Sequence, residues 1–228
     1  LKWSRYIPHK PTGKQLAFLL LDCREALYGG SAGGGKTDAL LMAALQYVDV
    51  PGYAAMLFRR TYADLSLPGA LIPRSQEWLA PTDARWNDMT KTWVFPSGAT
   101  VSFGYLEHAQ DHFRYQGSEL QFCGWDELTQ MDEAQYRYLF SRLRRLEGAD
   151  VPLRMRAASN PGGIGHEWVK QRFLIEGREN GRVFIPARLD DNPFLDRDAY
   201  AKALSALDPI TRAQLLDGDW SARQGGAL

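Results

Sequence analysis

"LYGGSAGGGKTDALL", Leu27 to Leu41, sets five glycines around one lysine and then runs on as helix-forming sequence. Glycine inside a regular element costs roughly 0.5–1 kcal/mol relative to alanine. Five in so short a span imply that the backbone itself approaches a ligand. Gly30, Ser31, Ala32, Gly33, Gly34, Gly35, Lys36 and Thr37 fit the pattern G-x-x-x-x-G-K-[ST]. Residues without side chains let consecutive N–H groups curl around phosphate oxygens, and a following helix points its positive end at them. Lys36 is then expected to reach the β- and γ-phosphates of a nucleotide, and the Thr37 hydroxyl to ligate Mg²⁺. The competing reading is a flexible glycine turn. Strand-like "EALYGG" before the loop and "KTDALLMAALQYV" after it supply the strand–loop–helix setting that the phosphate reading requires.

A second element of that chemistry stands in "LQFCGWDE", an apolar run ending in Asp126 and Glu127. An aspartate at the end of a buried strand can hold the magnesium through water, and the next acid can orient or deprotonate a water attacking the γ-phosphate. The bland alternative is a pair of acids opening a loop. No N-K-x-D base-reading motif of a GTP-binding protein occurs. A small-molecule kinase must exclude water, so an acid poised beside the magnesium aspartate favours hydrolysis. In "AASNPGG", Ser159 and Asn160 end the next strand, where open α/β sheets bind ligands. They either sense the γ-phosphate or its water, or form an ordinary turn before Pro161.

Outward from these motifs, the pattern alternates strands and helices. "YAAMLFRR" reads as a buried strand, and "WVFPSGATVSFGYL" as a β-hairpin about Pro96-Ser97-Gly98. Asp132 with Gln135 can start a helix, with Tyr136, Leu139, Phe140 and Leu143 along one face. "PLRMRAASN" is a further strand. A helix around Glu167–Ile175, a strand near Val183–Pro186 and helical segments from Asp196 to Leu216 follow. Such alternation argues for an α/β fold with a mainly parallel sheet covered by helices.

Composition narrows the classes. The 228 residues hold 27 Lys and Arg against 27 Asp and Glu, so no global basicity announces a nucleic-acid partner. Cys23 and Cys123 lie far apart with no C-x-x-C, which argues against a disulfide framework and a zinc site. "LAFLLL" is too short to span a bilayer, so no membrane association is expected. His108 and His112 stand four apart but lack the glutamate of H-E-x-x-H. Arg142, Arg144 and Arg145 form a small basic cluster.

Taken in order, "PTGKQLAFL", the glycine loop, "MLFRRTYADL", "WVFPSGATVSFGYLEH", "YQGSELQFCGWDELTQ", "YRYLFSRLRR", "ASNPGG" and "DNPFL…LLDGDW" resemble one family. It is the N-terminal packaging ATPase domain of the large terminase subunit of tailed double-stranded DNA bacteriophages. The resemblance implies an ASCE-type, RecA-like P-loop NTPase with an inserted β-hairpin. It also implies that Gln15 contacts adenine, that residues 30–37 are the Walker A loop, that Asp126 and Glu127 are the Walker B pair, and that Ser159-Asn160 is the coupling motif. Such subunits form a homo-oligomeric ring on the portal protein of a procapsid, in the host bacterial cytoplasm, and drive double-stranded DNA inward with ATP. A small terminase subunit selects the DNA. For an arginine finger supplied to a neighbour, Arg114 is the first candidate and Arg142 the second. The family's nuclease domain follows a "GDW"-like stretch, so residues 1–228 are expected to be a single motor domain without it. The alternatives are a helicase-like DNA-dependent ATPase of another family and a nucleotide-gated assembly protein.

Overall fold

The computed structural model describes residues 1–33 and 35–222, and Gly34 of the glycine loop lies outside the described residues. The strands are β1 (Glu25–Gly30), β2 (Ala54–Arg59), β3 (Arg85–Asn87), β4 (Thr92–Val94), β5 (Thr100–Tyr105), β6 (Phe122–Asp126), β7 (Arg154–Ser159) and β8 (Val183–Ala187). They form one sheet in the order β3-β4-β5-β2-β6-β7-β1-β8. From β5 to β8 every pairing is parallel, and β3, β4 and β5 pair antiparallel at one edge. The expected hairpin is therefore β4–β5, with β3 added outside it. One strand, β7, lies between the strand of the glycine loop and the strand of the acids, as the ASCE expectation requires.

The helices are α1 (Gly13–Leu19), α2 (Lys36–Leu45), α3 (Tyr62–Ser66), α4 (Leu71–Leu79), α5 (Glu133–Phe140), α6 (His166–Val169), α7 (Arg197–Leu204) and α8 (Pro209–Arg212). Successive strand side chains point to opposite faces, and two apolar cores result. Tyr28, Leu57 and Phe122 pack on one face with Phe18 of α1, Leu40 of α2 and Leu71 of α4. Leu27, Phe58 and Trp125 pack on the other with Tyr136 and Leu139 of α5 and with Val169 and Phe173. Every residue of β1, β6 and β7 is buried, as a strand covered on both faces demands.

Three departures from the sequence reading have local causes. The helix after Asp132 does open on a capping box with Gln135, but it ends at Phe140. Leu143 leaves it and bridges to Leu120, extending the sheet contacts instead. Pro73 obscures α4, yet it sits in the first turn, where its missing N–H costs nothing. In β7, Arg154 and Arg156 are buried, a fate the strand reading alone did not assign to two cations. Arg156 donates to the carbonyls of Leu21, Cys23 and Arg24, and Arg154 to Ala43 O and Gln46 Oε1 at the end of α2. Arg24 O and Ala43 O also accept from the N–H groups of Met155 and Gln46, so the arginines add a second bond at these two carbonyls.

Candidate functional site

The glycine loop joins β1 to α2 at the carboxyl end of the parallel strands. At Gly30 φ is 144°, and a Cβ there would stand 2.1 Å from the Ala187 carbonyl oxygen. Only glycine lets β1 pass β8 so closely. Gly35, at φ 74°, is the N-cap of α2. The two residues after Gly30 are fastened by the protein itself. Ser31 donates from its N–H (2.9 Å) and its hydroxyl (3.2 Å) to the Ala187 carbonyl. The Ala32 N–H donates to Leu215 O at 2.7 Å. Of the loop residues described, Ala32, Gly33, Gly35, Lys36 and Thr37 line a cavity of about 340 Å³, together with Glu127 and Asn160. Gly30 and Ser31 shape it from behind.

Lys36 is buried, and its ammonium donates to Ser31 O at 2.6 Å. Burial lowers its pKa, opposed by the nearby charges of Glu127 and Asp126. Asp126 is buried and is not part of the cavity lining. Burial and the adjacent Glu127 push its carboxyl up to about 7, against the pull of Arg59 and Lys36. Arg59 Nη1 stands 3.3 Å from Asp126 Oδ2. A buried carboxylate whose ionised form stays disfavoured beside Glu127, despite Arg59 and Lys36, suits a divalent cation, and Thr37 in the cavity wall carries a hydroxyl, a hard oxygen donor of the matching kind. The residues present therefore fit Mg²⁺.

Glu127 occupies the left-handed region at φ 55°, ψ 56°, an unusual conformation for a residue with a side chain. It aims the backbone out of β6 so that Glu127 reaches the cavity wall. Ser159 ends the adjacent strand β7 and Asn160 follows it, at the same carboxyl end of the sheet. Ser159 is buried and Asn160 lines the cavity with Glu127, so the structure brings these two residues close to the acids.

Gln15 is buried beside the loop, donating from Nε2 to Gly35 O at 2.9 Å and accepting at Oε1 from Thr12 N–H at 2.9 Å. It lines a second cavity of about 360 Å³ with His9, Asp38, Arg74, Asn192 and Phe194. Arg114 is not brought to this site. Its half-exposed side chain pairs with Asp111 at 3.5 Å and stacks over Tyr105 at 4.8 Å. Arg142 stacks on Tyr138 and donates to the Gln116 carbonyl.

Sequence reasoning missed Arg59, Arg74 and Asn192. Asn192 donates to Gly33 O at 2.8 Å, and Arg74 pairs with Asp38 at 3.2 Å. "FRR" and "DNP" sat inside stretches already noticed, but nothing in their spacing ties them to the glycine loop. Among the described residues there is no group of three or more His, Cys, Asp or Glu that could bind a metal ion.

A glycine loop after β1 and an acid pair at the end of β6, with β7 between these strands of one mainly parallel sheet, define a P-loop NTPase of the RecA-like kind. The chain belongs to the family described as terminase large subunit, T4likevirus-type, N-terminal, whose pattern matches residues 27–228. Comparison with the curated proteins gives no match. Among solved structures, the large terminase of a thermophilic bacteriophage in complex with ATP-gamma-S is similar, with a TM-score of 0.73 and 18% identity over 92% of this chain. The HK97 bacteriophage large terminase gives 0.68 and 12% over 96%. A mutant of the Thermus phage P74-26 large terminase ATPase domain gives 0.67 and 17% over 96%. This chain spans 52% of the terminase solved with ATP-gamma-S, 53% of the HK97 protein and 99% of the P74-26 domain. No helix among the described residues is long and apolar enough to cross a membrane.

Proposed function

We propose that the chain is the ATP-hydrolysing motor domain that powers translocation of double-stranded viral DNA into a procapsid. The observation that carries this reading is the cavity walled by Lys36, Thr37, Glu127 and Asn160, with buried Asp126 close enough to Lys36 and Glu127 to interact with their charges. Similar large terminases have been solved with ATP-gamma-S and with ADP, which supports ATP as the nucleotide. In this reading Lys36 turns from Ser31 O to the β- and γ-phosphates. Asp126 and Thr37 hold Mg²⁺, which when bound neutralises charge on the phosphate oxygens. Glu127 accepts a proton from the attacking water as its oxygen bonds the γ-phosphorus. The bond from that phosphorus to the β–γ bridging oxygen breaks, leaving ADP and phosphate. Gln15 and the second cavity accommodate adenine. Residues 1–228 act as one motor domain of a homo-oligomeric ring on the portal protein, supplied with DNA by a small terminase subunit in the host cytoplasm.

The test is hydrolysis of Mg-ATP by this chain with and without blunt duplex DNA, alongside a strand-displacement assay. DNA-stimulated turnover without strand separation supports the packaging reading. Strand separation would move the chain to the helicase-like class. Turnover indifferent to DNA, with no DNA binding, would favour a nucleotide-gated assembly protein.

A further inference from the structure

We propose that Thr129 is a positioning residue for hydrolysis, locking the turn that carries Glu127 to the strand end that carries Ser159 and Asn160. The inference rests on ATP hydrolysis at the cavity described above. Thr129 lies two residues beyond Glu127, in the 3-10 turn Leu128–Gln130, and is buried. Its N–H donates to Ser159 Oγ at 3.2 Å, and its hydroxyl stands 3.0 Å from the same oxygen. That hydroxyl also reaches Asn160 O at 3.3 Å, and the Thr129 carbonyl accepts from Gly165 N–H at 2.6 Å. Backbone and side chain of one residue are thus both committed to the loop after β7.

Glu127 needs such an anchor. A non-glycine residue in the left-handed region persists only when its surroundings impose the conformation. The turn is held from its far end by Gln130 N–H on Glu127 O (3.0 Å) and by Arg60 on Gln130 O (2.9 Å). Between those ties, Thr129 fixes it laterally to β7. The same hydroxyl touches the backbone of Asn160, whose side chain faces the cavity and whose Oδ1 is buried with no hydrogen-bond partner among the described residues. A threonine that merely satisfied itself would need one acceptor. Here it spans two elements, each of which supplies a residue to the cavity wall. A shift in either element is therefore transmitted to the other through a side chain that never enters the cavity.

Thr129→Val keeps the shape and removes the hydroxyl, whereas Thr129→Ser keeps the hydroxyl. Steady-state turnover of Mg-ATP and affinity for a fluorescent ATP analogue are measured on the 228-residue chain and both variants. Misplacing a reacting group by about 1 Å costs on the order of 10²-fold. The expected result is a kcat loss of that order for Thr129→Val with analogue affinity unchanged, and recovery of most of the rate in Thr129→Ser. Loss of affinity in step with kcat, or a serine variant as slow as the valine variant, would overturn the inference, as would wild-type kcat in Thr129→Val. If Thr129→Val does not fold, Ser159→Ala removes the other hydroxyl and carries the same expectation. Where both fold, Thr129→Val combined with Ser159→Ala should lose little beyond the worse single variant, because they break one shared link. Fully multiplied losses would refute that link. A wild-type chain that binds the analogue but never hydrolyses ATP would remove the proposed function, and this inference with it.

Discussion

Lys36 carries the only lysine charge in the glycine loop, in a setting where burial already disfavours that charge. Its ammonium rests on Ser31 O at 2.6 Å, a contact it can exchange for phosphate oxygens without unfolding the loop. A hydrogen bond to a charged group contributes about 1.5–3 kcal/mol, so its loss weakens binding by roughly 10- to 100-fold. Lys36→Ala should therefore lower nucleotide affinity by that factor and bring hydrolysis to background, measured by analogue binding and phosphate release. Wild-type turnover in this variant would sink the assignment of the phosphate site. Asp126 shows the same logic with the opposite sign. Its carboxyl is pushed up to about 7 because it is buried next to Glu127, and it is the group that gains most from a bound cation.

At the scale of elements, the end of the sheet away from the cavity is held by one buried carboxylate. Glu25 opens β1 and accepts from Arg172 (2.8 Å) after α6, from Arg182 (3.0 Å) before β8, and from Tyr136 (2.9 Å) on α5. Burial alone would raise its pKa, but Arg172, Arg182 and Tyr136 outweigh burial and hold it below the ordinary carboxylate value. A depressed folded-state pKa gives stability that is present above the unfolded value, about 4.3, and is lost as pH falls through the folded one. Glu25→Gln should cost about 3–5 kcal/mol at pH 7, the usual loss when one partner of a buried ion pair is removed. In denaturant titrations from pH 7 to pH 3 the gap to wild type should close as the medium becomes acid. A gap independent of pH would show that the loss comes from packing rather than charge. This network was invisible in the sequence, because Glu25 stands 111 to 157 positions from its three partners. The buried arginines of β7 were hidden likewise, since their acceptors are backbone carbonyls, which leave no trace in residue type. The glycine loop, the acid pair, the hairpin and the capping box at Asp132 were legible because each is a local pattern tied to one conformation. α1, α3, α4 and β3 were not, being short elements whose stability comes from the core they cover.

At the scale of the whole molecule, the cavity stands at the carboxyl end of the central strands β1, β6 and β7, and Arg114 belongs to a separate surface beside Tyr105 and Asp111. A transition state that spreads charge over the γ-phosphoryl oxygens is accelerated by about 10³–10⁵ when an arginine is inserted. As a proposal, a neighbouring copy supplies Arg114 to this cavity, with Arg142 as the second candidate. Mixing Arg114→Ala subunits with Glu127→Gln subunits should restore part of the activity each lacks alone. No recovery in mixtures that co-assemble would exclude a finger acting between subunits. In the proposed function the sheet, the loop and the acid pair jointly create one hydrolytic centre, and Glu127→Gln tests that proposal most directly. Binding of Mg-ATP and its single-turnover hydrolysis are measured on the same preparation of that variant. Loss of a general base costs on the order of 10²–10⁴ in rate, so binding close to wild type with hydrolysis slowed by that factor is the expected result. Hydrolysis at the wild-type rate, or a loss of binding equal to the loss of rate, would contradict it.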